Sequence, residues 1–255
     1  MSWLHDTLVG FDLETTGTEP AESRIVTAAL VEARGGAVVR QRDWLADPGV
    51  PIPAEAAAIH GISTERAVAE GRPVAEVAEE VAAALCEYWR AGIQVVVFNA
   101  AFDLSLLSAE LRRHGLPSLE QRLDGAPIGP VLDPLTVDRA VDKYRKGSRT
   151  LQSACAVYGV ELADAHRAGS DALAALHVAL ALGRKYGAEV GGLDPAELHR
   201  QQVGWHASWA AGLQEWLRRS KEPQAVVDGA WPLRVAAGKA AGAAAGTTAA
   251  TVTAG

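Results

Sequence analysis

The chain of 255 residues carries 24 basic and 31 acidic side chains, a formal net charge of -7, and 49% apolar residues. That length suits one well-buried domain with an appendage, and the charge argues against a generic basic surface binder while leaving carboxylate-built metal sites open. The start of the chain lacks the basic and apolar regions of a secretory leader, no apolar run could span a bilayer, and the two separated cysteines, Cys86 and Cys155, read as reduced thiols of a cytoplasmic protein.

In chain order, residues 8–13 read as a strand, followed by strands at 24–33 and 37–45 around the Gly35-Gly36 turn, so the three pair antiparallel. Residues 73–89 form a helix, opened by Pro73 and carrying Val74, Val77, Val81 and Leu85 at helical spacing. The continuous apolar run at 93–98 suits a strand buried on both faces. A helix over 101–114 stops at Gly115, and a short strand over 131–133 precedes helices at 136–144 and 150–158. A further helix spans 170–186 with Ser170 as its N-cap.

Strands first and then alternating helices and strands imply an α/β domain over residues 1–187, a mixed sheet covered by helices. Gly191-Gly192 marks a linker to a helical extension, residues 188–235, whose main helix starts at Asp194-Pro195 and runs to residue 219. The Ala/Gly/Thr-rich tail, 236–255, lacks the apolar surface to offset its ordering entropy and reads as disordered.

Three segments carry candidate chemistry. In GFDLETTG, Asp12 and Glu14 sit two apart on a strand and therefore face one side, where their repulsion calls for a cation. Asp103 in FNAAFD and Asp171 in HRAGSDA each open a helix, where an acid also gains from the helix dipole, and His166 precedes Asp171 by five residues. Taken singly, each acid has an ordinary structural reading as a solvated strand end or a helix cap.

Their order and spacing resemble the three motifs of the DEDDh family of 3′–5′ exonucleases, particularly the epsilon subunit of DNA polymerase III and its stand-alone relatives. The resemblance covers residues 7–186 and includes Ile59-His60-Gly61-Ile62. It implies a ribonuclease-H-like mixed sheet with flanking helices, joined here to the C-terminal helical extension. It assigns Asp12, Glu14, Asp103 and Asp171 to two divalent ions, Mg²⁺ or Mn²⁺, which all-oxygen ligation favours over zinc. It implies that His166 is a general base and that nucleoside 5′-monophosphates are released from the 3′ end of a nucleic acid, with single-stranded DNA favoured.

The resemblance also places Leu13, Thr15, Thr16, His60 and Phe102 near the terminal nucleotide, although Leu13 and Phe102 suit core packing equally well. Phe98 stands where many relatives have histidine. Exoribonucleases such as oligoribonuclease and ribonuclease T share the motif set, and a non-catalytic nucleic-acid or polymerase-binding module is the reading from another class. A DNA polymerase or repair protein is the partner the resemblance suggests. The basic residues Arg139, Lys143, Arg145, Lys146, Arg149 and Arg167 read either as a solvated face or as phosphate contacts. Trp205, Trp209 and Trp216 read as a stripe docking the last helix, extended by Trp231, or as a platform for a partner.

Overall fold

The computed structural model describes residues 2–163 and 165–234; the proposed disordered tail lies outside them. Strands β1 (Thr7–Thr15), β2 (Ile25–Arg34) and β3 (Ala37–Asp47) form an antiparallel meander. Helices α1 (Ala54–His60) and α2 (Thr64–Glu70) lead to the two-residue β4 (Arg72–Pro73) and the long α3 (Val74–Arg90). Strand β5 (Gln94–Val96) pairs parallel to β1, α4 (Ala100–Arg113) and α5 (Leu119–Arg122) follow, and β6 (Val131–Leu132) pairs parallel to β5. The six-stranded order is β4-β3-β2-β1-β5-β6.

Helices α6 (Pro134–Val141), α7 (Leu151–Tyr158), α8 (Ala168–Lys185) and α9 (Pro195–Ser220) complete the fold. Alternation along the strands sorts two cores onto the two sheet faces. Val9, Phe11 and Leu13 pack with Val81 and Leu85 of α3 and Leu104 and Leu107 of α4. On the other face, Leu8, Val96 and Leu132 pack with Leu176 and Leu180 of α8 and Leu198 of α9. This mixed sheet with flanking helices is the ribonuclease-H-like arrangement expected. Among the described residues, no helix is long and apolar enough to cross a membrane.

Two local expectations change, and a stretch left without an element gains two helices. The Ala-rich stretch before residue 72 holds α1 and α2, too short and too exposed to announce themselves by periodicity; Ile52, Ile62 and Ala67 seal them against Val26. Helix α8 begins at Ala168 with Arg167 as N-cap, so Ser170 lies inside the first turn. The helix extends further back because the Asp171 carboxylate accepts the His166 N–H at 3.1 Å, tying down the approaching chain. Gly187–Gly191 form a π-helical turn rather than an open connection, with Gly191 packed so closely on Gly183 that a Cβ would lie 2.2 Å from its carbonyl oxygen.

Candidate active site

The period of β1 puts Gly10, Asp12 and Glu14 on the face that α8 covers. Gly10 lets α8 come close: a Cβ there would lie 2.3 Å from the carbonyl oxygen of Ala172, the residue after Asp171. With backbone against backbone at this point, one carboxylate oxygen from each of Asp12, Glu14 and Asp171 lies within 4.8 Å of the others.

Asp103 arrives from the opposite layer. Strand β5 ends at Val96, level with Gly10, so the Leu13 N–H extends past the last rung of that ladder. Asp103 Oδ1 accepts it at 3.1 Å. The N–H groups of Asn99 and Ala100 at the start of α4 are accepted by Asp133, at 2.9 and 3.2 Å, and not by Asp103.

All four acids are held away from easy ionisation. Burial, then the charges of Asp103, Glu14 and Asp171, pushes Asp12 well above the usual carboxylate range. Burial and then Asp171 raise Glu14 to about 7. Burial raises Asp103 well above its ordinary value against the opposing Leu13 N–H, and burial raises Asp171 against the opposing His166. Asp171 Oδ1 is buried without a hydrogen-bond donor. An orphaned oxygen among mutually repelling carboxylates fits a divalent cation, and an all-oxygen donor set fits a hard one such as Mg²⁺ or Mn²⁺.

His166 adopts a left-handed backbone conformation, φ 67°, which turns the chain just ahead of α8. Its side chain is exposed at the mouth of a cavity of about 140 Å³ that also reaches Asp171, Thr150, Leu151 and Gln152. The wall at 150–152 carries no motif and was invisible to sequence reading. Gly10 and Asp133 were also missed, since close approach and a buried capping acid leave no periodic mark.

The other expected contact residues lie along the end of β1, the start of α4 and the end of α1. Leu13 is buried in the core and Phe102 is half-buried against it. Thr15 Oγ1 donates to the Gly17 carbonyl at 2.7 Å, and Thr16 Oγ1 accepts the Arg24 N–H at 2.9 Å, so both hydroxyls brace the turn after β1. His60 is buried at the end of α1, its Nδ1 accepting the Ile62 N–H at 3.2 Å; burial lowers its pKa, opposed by the Thr15 backbone.

The basic run is neither uniformly solvated nor uniformly available. Arg145 and Arg149 are ion-paired to the buried Asp138, which Tyr158 also contacts, and Arg139 stacks on Trp209 at 3.7 Å. Lys143 and Lys146 are exposed, and Tyr144 between them is 88% exposed. The tryptophans do not form one docking stripe: Trp205 packs on the core, Trp209 is half-buried and Trp216 faces solvent. The docking face of α9 is Leu198, Gln202, His206, Ala210 and Leu217.

Sheet order and clustered acids define an α/β protein of the ribonuclease-H-like nuclease class. The model of the exonuclease family RNase_T matches residues 9–179, and the chain belongs to that family, in its DEDDh-type 3′–5′ exonuclease group. It is 31% identical over 168 residues to the PolC-type DNA polymerase III of Streptococcus thermophilus, covering 65% of this chain and 10% of the polymerase. The corresponding enzyme of Streptococcus agalactiae is 32% identical over 137 residues, 53% of this chain and 8% of that one. The matches thus span about a tenth of those relatives. Among solved structures, exonuclease I of Methylocaldum szegediense superposes with a TM-score of 0.59 at 21% identity, covering 72% of this chain and 41% of that one. E. coli exonuclease I in complex with a dT13 oligonucleotide gives 0.58 at 20%, covering 71% and 43%. These superpositions establish the shared fold.

Proposed function

We propose that the protein removes nucleotides stepwise from the 3′ end of DNA, single strands preferred, releasing nucleoside 5′-monophosphates. The observation that carries this reading is the convergence of Asp12, Glu14 and Asp171 on one point, with Asp171 Oδ1 left without a donor. Asp12, Glu14, Asp103 and Asp171 would hold two divalent ions. Bound there, such ions supply the positive charge that stabilises the attacking and leaving oxygens of an in-line displacement at phosphorus.

The chain's own residues do the rest. His166, on the exposed turn beside Asp171, takes the proton of the attacking water at an imidazole nitrogen. Leu13, Thr15, Thr16, His60 and Phe102 shape the surroundings of the terminal nucleotide, Leu13 and Phe102 through their backbone and half-buried surface. The preference for DNA draws on the PolC-type relatives and on the dT13 bound by E. coli exonuclease I. The PolC-type relatives support a DNA polymerase or repair protein as a partner.

The test compares 3′-labelled single-stranded DNA, mismatched duplex and short RNA, with Mg²⁺ and with Mn²⁺, for the parent and for Asp12→Ala, Asp171→Ala and His166→Ala. The two Asp variants should lose degradation, and His166→Ala should retain ion binding while slowing about 10²–10⁴-fold. Parent-like rates in either Asp variant would sink the assignment, and faster degradation of RNA would move the substrate class to ribonucleic acid.

A further inference from the structure

The C-terminal chain lies beyond the family match at residues 9–179, yet it is bonded into the framework that carries Asp103. Strand β6 is the edge of the sheet, and α9 closes that edge with two side chains one turn apart. His199 Nδ1 accepts the Val131 N–H at 3.1 Å. Gln202 Oε1 accepts the Asp133 N–H at 2.7 Å and its Nε2 donates to the Val131 carbonyl at 3.0 Å. Together they do for β6 what a seventh strand would do, from a helix. Gln202 is fully buried, so these bonds do not compete with water.

After α9 the chain doubles back over α4. Trp231 is buried and its Nε1–H donates to Asp133 Oδ2 at 3.3 Å. Leu233 packs on the core that α4 borders, and the Arg234 N–H donates to Ser105 Oγ at 2.8 Å, two residues past Asp103. Asp133 is the hub. Its two oxygens accept from Asn99, Ala100, Leu135, Thr136 and Trp231, so one buried carboxylate ties the start of α4, the start of α6 and the C-terminal segment together.

We infer that the C-terminal segment, through Trp231, Gln202 and Arg234, is a strap that positions the first turn of α4 and thereby Asp103. These are positioning residues, since none of them reaches the acid cluster. The link runs from Trp231 to Asp133, from Asp133 to the Asn99 and Ala100 amides, and from that turn to Asp103 and the Leu13 N–H. Nothing else among the described residues accepts those two helix-start amides: the N-cap Asn99 makes no side-chain cap. Shifting Asp133 therefore shifts the first turn of α4. The functional half of this inference rests on the catalytic reading of Asp103; the structural half does not.

The test uses the full chain with Trp231→Phe, which keeps an aromatic ring, removes the N–H donor and vacates part of the buried indole volume. Trp216→Phe, the same change at an exposed position of α9, is the control, and Gln202→Leu is the stronger variant. Hydrogen exchange of the Ala100–Asp103 amides is read beside those of β2, together with exonuclease rate. The expected result for Trp231→Phe is about tenfold faster exchange confined to the start of α4, with kcat lowered severalfold and KM within twofold. Equal exchange at α4 in Trp231→Phe and Trp216→Phe overturns the strap, as does faster exchange spread evenly over β2. Should Gln202→Leu fail to fold, Trp231→Phe alone decides. Localised exchange without any change in kcat, alongside full activity of Asp103→Asn, would instead overturn the catalytic reading and leave the strap standing.

Discussion

The Asp103 carboxylate accepts the Leu13 N–H at 3.1 Å, so an acid on a helix replaces the missing rung of a strand between the two acids of β1. Asparagine offers the same acceptor without the charge. Asp103→Asn should therefore keep its fold, and without divalent ions should be at least as stable as the parent, because it relieves repulsion with Asp12. Asp103→Ala orphans the Leu13 N–H and should lose about 1–3 kcal/mol. Both should lose at least about 10²-fold in rate, which thermal melts and single-turnover degradation would resolve.

The raised carboxylates set a sign for the pH dependence. Glu14 ionises near 7 in the fold against about 4.5 in an unfolded chain, so the native state binds more protons across that interval. The Glu14 contribution to ion-free stability is fully present below about pH 4.5 and falls as pH rises through 7, by on the order of 2 kcal/mol. Added Mg²⁺ should raise Tm more at pH 8 than at pH 5 and release protons as it binds. A Tm that climbs with pH in chelator would contradict this.

Gly10 faces the Ala172 carbonyl where a Cβ would sit 2.3 Å away. Because that contact is backbone rather than a flexible side chain, Gly10→Ala must push α8 off β1. It should cost about 1–3 kcal/mol and separate Asp171 from Asp12. The expected signature is a higher Mg²⁺ requirement together with a lower rate, measured by titrating activity at fixed substrate.

The basic loop divides into two behaviours. Arg145 and Arg149 hold the buried Asp138, so replacing either with Gln should lower stability, by up to about 3–5 kcal/mol where the charge of Asp138 is left unpaired. Lys143 and Lys146 are exposed, and changing both to Gln should leave Tm unchanged. If they hold phosphates, the same double change should weaken single-strand binding and reduce the salt slope by about 1.4, at roughly 0.7 per phosphate. An unaltered slope would return them to the solvated surface.

Much of this was legible in the sequence because local chemistry dictated it. The alternating strands, the Gly35-Gly36 turn and the Asp194-Pro195 helix start each follow from short-range preferences, and the structure keeps them. The acid positions were legible because Asp12 and Glu14 share a strand face by parity. The roles of Arg145 and Arg149 were not legible, since exposure and ion pairing to Asp138 look alike along a chain. Likewise the helical spacing of Trp205, Trp209 and Trp216 said nothing of Gln202 and His199, the polar residues that bond α9 to the sheet edge.

By itself the sequence determined which residues could meet a divalent ion: acids at fixed parity on a strand and at the first turns of two helices. Whether they do meet was decided only in three dimensions. A missing Cβ at Gly10 lets two backbones touch, and the early end of β5 leaves the Leu13 N–H for Asp103. A carboxylate from another segment, Asp133, takes the first two amides of α4 in place of that acid. These are steric and hydrogen-bonding conditions between segments about 30 to 160 residues apart, and no local pattern encodes them.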